Sequence, residues 1–266
     1  WPLPSMALLA LTLALLAMTV ATMAIMVKPL DMALNSFDDQ YRGCGPAMKE
    51  ELPVLKCSDF LKNPPFAKVW REAEKKWQSR RSHVPRLLSS DQAIAIMAYT
   101  MEDVYREFNN NVSVAGRSPQ EYRDKFHFKT LHFLLTNALA TLRVKQRRKC
   151  HLVYRGVDKY LFDAKQGKTV RFGHFASTSL SEDVARIFGS TTVFKVQTCH
   201  GADIKVFSNF ADEEEVLIPP FEKFNVTKVI KKRKNVEIYL KSIGIYSKYN
   251  CLWVKGGDSL GPWGHS

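Results

Sequence analysis

The hydrophobic period of the chain changes midway, and that change limits the fold more than any other feature. In the first half apolar residues recur at helical spacing. Phe66, Val69, Trp70, Ala73 and Trp77 fall at i, i+3, i+4, i+7 and i+11, one stripe of an amphipathic helix. Residues 90–108, SDQAIAIMAYTMEDVYREF, predict a second helix. Ser118-Pro119-Gln120-Glu121 opens a third: serine as N-cap, proline as first helical residue, and glutamate closing a capping box. It is expected to run through FKTLHFLLTNALATLR to Arg143. Beyond about residue 150 the apolar runs are short and β-rich: HLVYRG, TVRFGHFASTSL, TTVFKVQTC, ADIKVF, EVLIPP, FNVTKVI and VEIYLKSI. Ser181-Glu182-Asp183-Val184 starts one short helical interruption, ending near Gly189. Helices first and strands second predict an α+β fold, with a helical part at about 45–145 and a β-rich part at about 150–250. No strand–GxGxxG–helix unit occurs, which argues against a Rossmann dinucleotide site.

The chain has 266 residues, enough for a sizeable core. Residues 1–27 carry no charge, and Met6 to Val27 contains only Ala, Leu, Met, Thr, Val and Ile. This reads as a signal peptide, residues 1–24, with small-x-small cleavage patterns at Thr19-Val20-Ala21 and Thr22-Met23-Ala24; a retained membrane anchor is the alternative. Residues 25–266 are then one domain. The C-terminal KGGDSLGPWGHS has no apolar tail, so no lipid-anchor signal is visible. Secretion makes the five cysteines readable as two disulfides and one leftover thiol. No CxxC pair occurs, which argues against a zinc site, and no metal is expected. Asn111-Val-Ser and Asn225-Val-Thr are glycosylation sequons suited to the same compartment. The net charge of +13 favours anionic partners. RVKQRRK (143–149) and KVIKKRK (228–234) suit acidic glycans but lack the interleaved aromatics that stack nucleic-acid bases. A solvated cationic face is the plainer reading of both.

Three stretches carry candidate chemistry. Asp212 to Glu215 are four consecutive carboxylates in front of the apolar strand Val216-Leu217-Ile218. If the strand began at Glu213, then Glu213 and Glu215 would share a face about 7 Å apart, with Glu214 opposite. Two such carboxylates suit chemistry at a sugar anomeric carbon; a solvated acidic turn is the plainer reading. Arg155, in the apolar run CHLVYRGV, needs an anionic partner, either a structural carboxylate or a clamped phosphate. Ser177, Thr178 and Ser179 put hydroxyls on a strand, with Ser177 and Ser179 on one face. Such a run orients a polar ligand or simply edges a sheet. No GxSxG, HExxH or P-loop is present.

An Arg on a strand, then S-x-S, then E-x-E resembles the R-S-E signature of arginine-specific ecto-mono-ADP-ribosyltransferases. NSFDDQYRGC (35–44), AYT (98–100), FHFKTLHFLLTNAL (126–139), VYRG (153–156), VRFGHFASTSL (170–180), EEEVLIPPFE (213–222) and YNC (249–251) are similar to that family over nearly the whole mature chain. The resemblance implies a helical N-terminal subdomain packed on a β-sandwich-like NAD-binding core. It implies transfer of ADP-ribose from NAD(P) to protein arginines, with NAD as cosubstrate rather than a resident cofactor. Glu215 would be the catalytic carboxylate, Glu213 would hold the acceptor guanidinium and help deprotonate it, Arg155 would grip the cosubstrate phosphates, and Ser177 would orient its ribose. Tyr99 and Ser208 would line the NAD pocket. His174 stands where several relatives carry glutamine in that pocket, and Phe210-Ala211 depart from the Arg or Gly-rich residues some members place before the acids. The resemblance also implies the pairs Cys44–Cys251 and Cys150–Cys199, leaving Cys57. NAD hydrolysis with water as acceptor, and a non-enzymatic cationic surface protein of the same fold, are the competing functions.

Overall fold

The computed structural model describes residues 26–147 and 150–255. The expected signal peptide, the tail from residue 256 and the last two residues of the first basic cluster lie outside the described residues. The chain opens with strand β1 (Met26–Pro29) and continues through six helices: α1 (Gly45–Lys62), α2 (Pro64–Arg80), α3 (Ser90–Tyr99), α4 (Glu102–Ala115), α5 (Pro119–Lys125) and α6 (Lys129–Lys145). Then follow β2 (His151–Val157), β3 (Tyr160–Asp163), β4 (Thr169–Val170), β5 (Ala176–Ser179), α7 (Glu182–Ile187), β6 (Thr192–Thr198), β7 (Ala202–Asp203), β8 (Glu215–Ile218), β9 (Glu222–Lys231) and β10 (Val236–Ile245). This is the α+β order that the change of period predicts.

Two predicted helices are interrupted. The run 90–108 breaks at Thr100, whose hydroxyl bonds back to the carbonyls of Ile96 and Met97 at 3.1 Å. Such back-bonding competes with helix continuation, and Met101 is extended. The third helix ends at Lys125 and restarts at Lys129. Between them Phe126 and Phe128 turn inward and are buried. The Lys129 ammonium, donating to the carbonyls of Arg123 and Phe126 at 3.0 and 2.7 Å, takes up groups that the broken helix leaves open. Ser118 caps the Glu121 amide as expected, but the Glu121 carboxylate bonds Lys125 instead. The reciprocal capping box forms elsewhere, between Ser89 and Gln92.

Eight strands form one hydrogen-bonded series, β4-β9-β10-β6-β2-β5-β8-β7, with only β10–β6 parallel. Strands β1 and β3 pair separately. Val170, Phe224 and Val226 from one end of the series share an apolar cluster with Ala176, Val216 and Ile218 from the other. The sheet therefore curves over its own core in sandwich-like fashion. Leu217, between Val216 and Ile218, faces the other way and joins Phe175, Ala202 and Phe207 in the core built by the helices. Strand alternation at β8 thus splits one short run between two cores, and the β5–β8 pair is the seam between them. Disulfides join Cys44 to Cys251 and Cys150 to Cys199; Cys57 is an exposed thiol on α1.

Candidate active site

The seam carries the acidic cluster. Glu215 is the first residue of β8, and β5 pairs with it so that Ser179 lies opposite Glu215 and Ser177 opposite Leu217. Residues opposite or two apart share a face, so Ser177 and Glu215 face the same side. Glu215 is only 4% exposed. Burial pushes its carboxyl up to about 7, and the Glu213 charge adds to that. The Ser177 hydroxyl, the Arg155 guanidinium and the Ser208 hydroxyl pull the other way by stabilising the carboxylate.

Glu213 does not reach the site as the sequence predicts. It ends a 3-10 turn, Ala211–Glu213, and Glu214 adopts the left-handed conformation with φ 48° before the strand begins. A turn rather than strand alternation therefore sets the two acids together. Glu213 is half-buried, and burial followed by the Glu102 charge raises its carboxyl. Glu214 pairs with Lys205 at 3.2 Å, and Asp212 is exposed. Of the four consecutive acids, Glu213 is the one whose charge raises Glu215.

Arg155, on β2, donates from Nη1 to the Ser177 carbonyl at 2.6 Å. Among the described residues it forms no ion pair within 4 Å, and the carboxylate it acts on is the buried Glu215, whose ionised form it stabilises. Gly156 beside it has no room for a side chain: a Cβ would meet the carbonyl oxygens of Gly189 and Ala185 at about 2 Å. The end of α7 thus lies directly on β2. Thr178 turns to the Val216 carbonyl and Ser179 accepts from the Ser181 amide. Of the three hydroxyls, Ser177 is the one that meets the acid.

The weaker site candidates fall in different places. Ser208 is buried with its hydroxyl toward Glu215. Its carbonyl is held by Arg80 at 2.9 Å, and the next amide, Asn209, donates to Thr100 Oγ1 at 2.9 Å. The loop before the acids is thereby tied to the helical part. Tyr99 is fully buried against β5; its hydroxyl lies 3.2 Å from Ser177 Oγ and donates to the Phe175 carbonyl at 3.0 Å. Its reach to a ligand is through Ser177. His174 has a buried Nδ1 without a hydrogen-bond partner among the described residues. Burial, then Arg155 and Lys28, lower the imidazole to about 3, so it is neutral near pH 7.

Two polar residues are absent from the sequence reading. Asn109 lies on the inner face of α4 and bonds Tyr99 and Phe175. An asparagine beside the buried positions Phe108 and Val112 was the available signal. Arg171 pairs with Asp38 at 2.7 Å, both fully buried; nothing in the sequence distinguishes it from surface arginines.

The profile of the NAD:arginine ADP-ribosyltransferase family matches residues 30–248. The erythroblast NAD(P)(+)--arginine ADP-ribosyltransferase of Gallus gallus is 51% identical over 229 residues, covering 85% of this chain and 76% of that protein. The GPI-linked NAD(P)(+)--arginine ADP-ribosyltransferase 1 of Homo sapiens is 44% identical over 243 residues, covering 85% and 74%. The crystal structure of the mono-ADP-ribosyltransferase ART2.2 matches with a TM-score of 0.73 at 37% identity, covering 85% of this chain and 99% of that one. A variant of the same enzyme, solved in complex with NAD, matches equally well at 38% identity. On the sequence and the fold together, the chain belongs to the NAD:arginine ADP-ribosyltransferase family.

Proposed function

We propose that this protein transfers ADP-ribose from NAD to the guanidino group of protein arginines and releases nicotinamide, and that Arg155, Ser177, Glu213 and Glu215 carry the reaction. One observation supports the assignment of roles above the rest: a buried carboxylate, Glu215, is set between two hydroxyls and a guanidinium, with a second, more accessible carboxylate on the turn before it. Cleavage of the bond between the ribose C1′ and the nicotinamide nitrogen leaves an oxocarbenium-like centre. The Glu215 carboxylate stabilises that charge, and a buried carboxylate does so more strongly than a solvated one. Arg155 spends one N–H on the Ser177 carbonyl and keeps the others for the cosubstrate phosphates. The unpartnered His174 nitrogen beside it is a further polar group for the cosubstrate.

The acceptor is a guanidinium whose pKa exceeds about 12, so it must lose a proton to attack. Glu213 takes that proton. Its half-buried carboxyl, raised by burial and by Glu102, is a better base than a fully solvated acid. Attack forms the C1′–N bond as nicotinamide leaves, and the proton passes through Glu213 to solvent.

The two disulfides fit an oxidising compartment, and we assign the protein to the secretory route, with Asn111 and Asn225 as glycan acceptors. Among the described residues no helix is long and apolar enough to cross a membrane. Acidic glycans are the partner class for the basic clusters, over a smaller area than the sequence alone implies. Lys231 pairs with Asp163 and Lys232 with Glu237, leaving Lys228 on β9 and Arg233 and Lys234 at the β9–β10 hairpin as exposed cations outside these ion pairs. Salt-sensitive elution from a heparin-like resin, weakened by neutralising Arg233 and Lys234, tests this.

The function itself is tested by incubating the purified protein with labelled NAD and agmatine. ADP-ribosyl-agmatine is the expected product. Free ADP-ribose alone would make the protein an NAD glycohydrolase, and no turnover by folded protein would leave a non-enzymatic cationic protein.

A further inference from the structure

The loop between β7 and the acids exposes two large apolar side chains, Val206 at 42% and Phe210 at 41%, although its backbone is fixed. Phe207 is buried against Trp77 of α2, with ring centroids 6.0 Å apart. Arg80, the last residue of α2, donates from Nη1 to the Ser208 carbonyl at 2.9 Å and from Nη2 to the Val206 carbonyl at 3.4 Å. Lys76 Nζ donates to Asn209 Oδ1 at 2.8 Å, and the Asn209 amide donates to Thr100. A loop tied at successive residues is not free to turn its apolar side chains inward. Whatever it binds meets a surface already ordered, so little further conformational entropy is lost.

Between this loop and the end of α2 lies an open groove of about 390 Å³. Its walls include Arg80, His83, Val84, Lys205, Val206 and Ala211, and no carboxylate lines it. Arg80 commits two of its five N–H groups to carbonyls and keeps three. Glu214 is already paired with Lys205 at 3.2 Å, and Asp212 is exposed to solvent beyond Ala211. Arg81 and His83 are exposed beside the groove. Aliphatic walls under a cationic rim match a side chain with a methylene stem and a carboxylate head.

The groove lies next to the acid assigned to the acceptor. Ala211 opens the 3-10 turn that Glu213 ends, so wall and acid are two residues apart at ~2 Å of rise each. An extended acceptor chain advances ~3.3 Å per residue. With its target arginine at Glu213, a residue about two positions away lies over the groove.

We propose that this groove is an acceptor subsite, which selects arginines that have an acidic residue about two positions away in the acceptor protein. The acidic side chain lays its methylenes on Val84, Val206 and Ala211 and its carboxylate against Arg80. This rests on the transferase reading and names the class of arginine which that reading leaves open.

The test begins with the acceptor. Three peptides carry one arginine with glutamate, glutamine or lysine two positions away on each side; agmatine, too short to reach the groove, is the reference. The glutamate peptide is expected to be labelled with a kcat/KM about five- to tenfold above the glutamine peptide, with the lysine peptide lowest. High salt narrows the difference. The double variant His83→Glu/Val206→Glu, at two exposed positions, puts carboxylates where the rim is cationic. The ratio of glutamate-peptide to agmatine labelling falls there by a similar factor. Labelled agmatine with equal labelling of the three peptides, or an unmoved ratio in the double variant, overturns the groove and leaves the transferase reading standing. Affinities of the same peptides for Glu215→Gln, read by fluorescence anisotropy, are expected in the same order and need no turnover. If agmatine is not labelled, the transferase reading fails, and that order of affinities decides the groove by itself: glutamate tightest supports it, and no order overturns it.

Discussion

Glu215 makes the protein less stable where it makes it active. An ordinary glutamate titrates near 4.5, and this one is pushed up to about 7 by burial. Below the lower value it is protonated in both the folded and unfolded chains and costs nothing. Between 4.5 and 7 the unfolded chain ionises while the folded chain holds its proton, so stability falls as pH rises through that window. Above it the penalty is constant at ~3 kcal/mol. Glu215→Gln is therefore expected to abolish turnover and yet raise unfolding stability at pH 8 by a few kcal/mol, with the gain vanishing by pH 4; urea denaturation of both proteins at the two pH values checks this. In the wild type, activity is expected to rise through about pH 7 as Glu215 ionises. Arg155, Ser177, Glu213 and Glu215 stand out as polar residues on or beside apolar strands, but each alone reads as well as structure, and only the resemblance to the arginine transferases groups them as one site. The burial of Tyr99 and the bonding of Asn109 were not legible, because they arise from the crossing of α4, α3 and β5.

At the scale of single elements, the turn before β8 does what the strand was expected to do. A strand starting at Glu213 would have aligned the acids by alternation alone. The structure instead uses a 3-10 turn and a left-handed Glu214, which the sequence conceals because glutamate is not the residue usually found there. Glycine adopts that conformation without strain, and a β-branched residue adopts it poorly. Glu214→Gly is expected to keep acceptor transfer, and Glu214→Val to lose ~1–2 kcal/mol of stability together with transfer, as read by denaturation and agmatine labelling. The broken helices follow the same pattern. Periodicity located the apolar stripes correctly and missed the breaks at Thr100 and Phe126, because a hydroxyl back-bond and a buried lysine ammonium override propensity.

For the molecule as a whole, the two ends of the described chain are tied together. Cys44 and Cys251 are 207 residues apart. Asp39 accepts from the amides of Tyr41, Cys251 and Leu252, and Arg171 gathers the carbonyls of Met32, Ala33 and Tyr246 around its pair with Asp38. This clasp fixes the helical part against the sheet whose seam bears the acids. Replacing Cys44 and Cys251 by alanine is expected to cost ~3 kcal/mol and to lower Tm while leaving the pH midpoint of activity in place. The α+β division was legible from the change of period. The single curved series of eight strands was not, because strand order depends on long-range pairing that leaves no local trace.

The central claim is a division of labour between two acids two positions apart, Glu213 and Glu215. The most direct measurement follows nicotinamide release and agmatine labelling together in wild type, Glu213→Gln and Glu215→Gln. The account predicts both activities in wild type, neither in Glu215→Gln, and nicotinamide release without labelling in Glu213→Gln. Labelling retained by Glu213→Gln, or cleavage of NAD retained by Glu215→Gln, would contradict it.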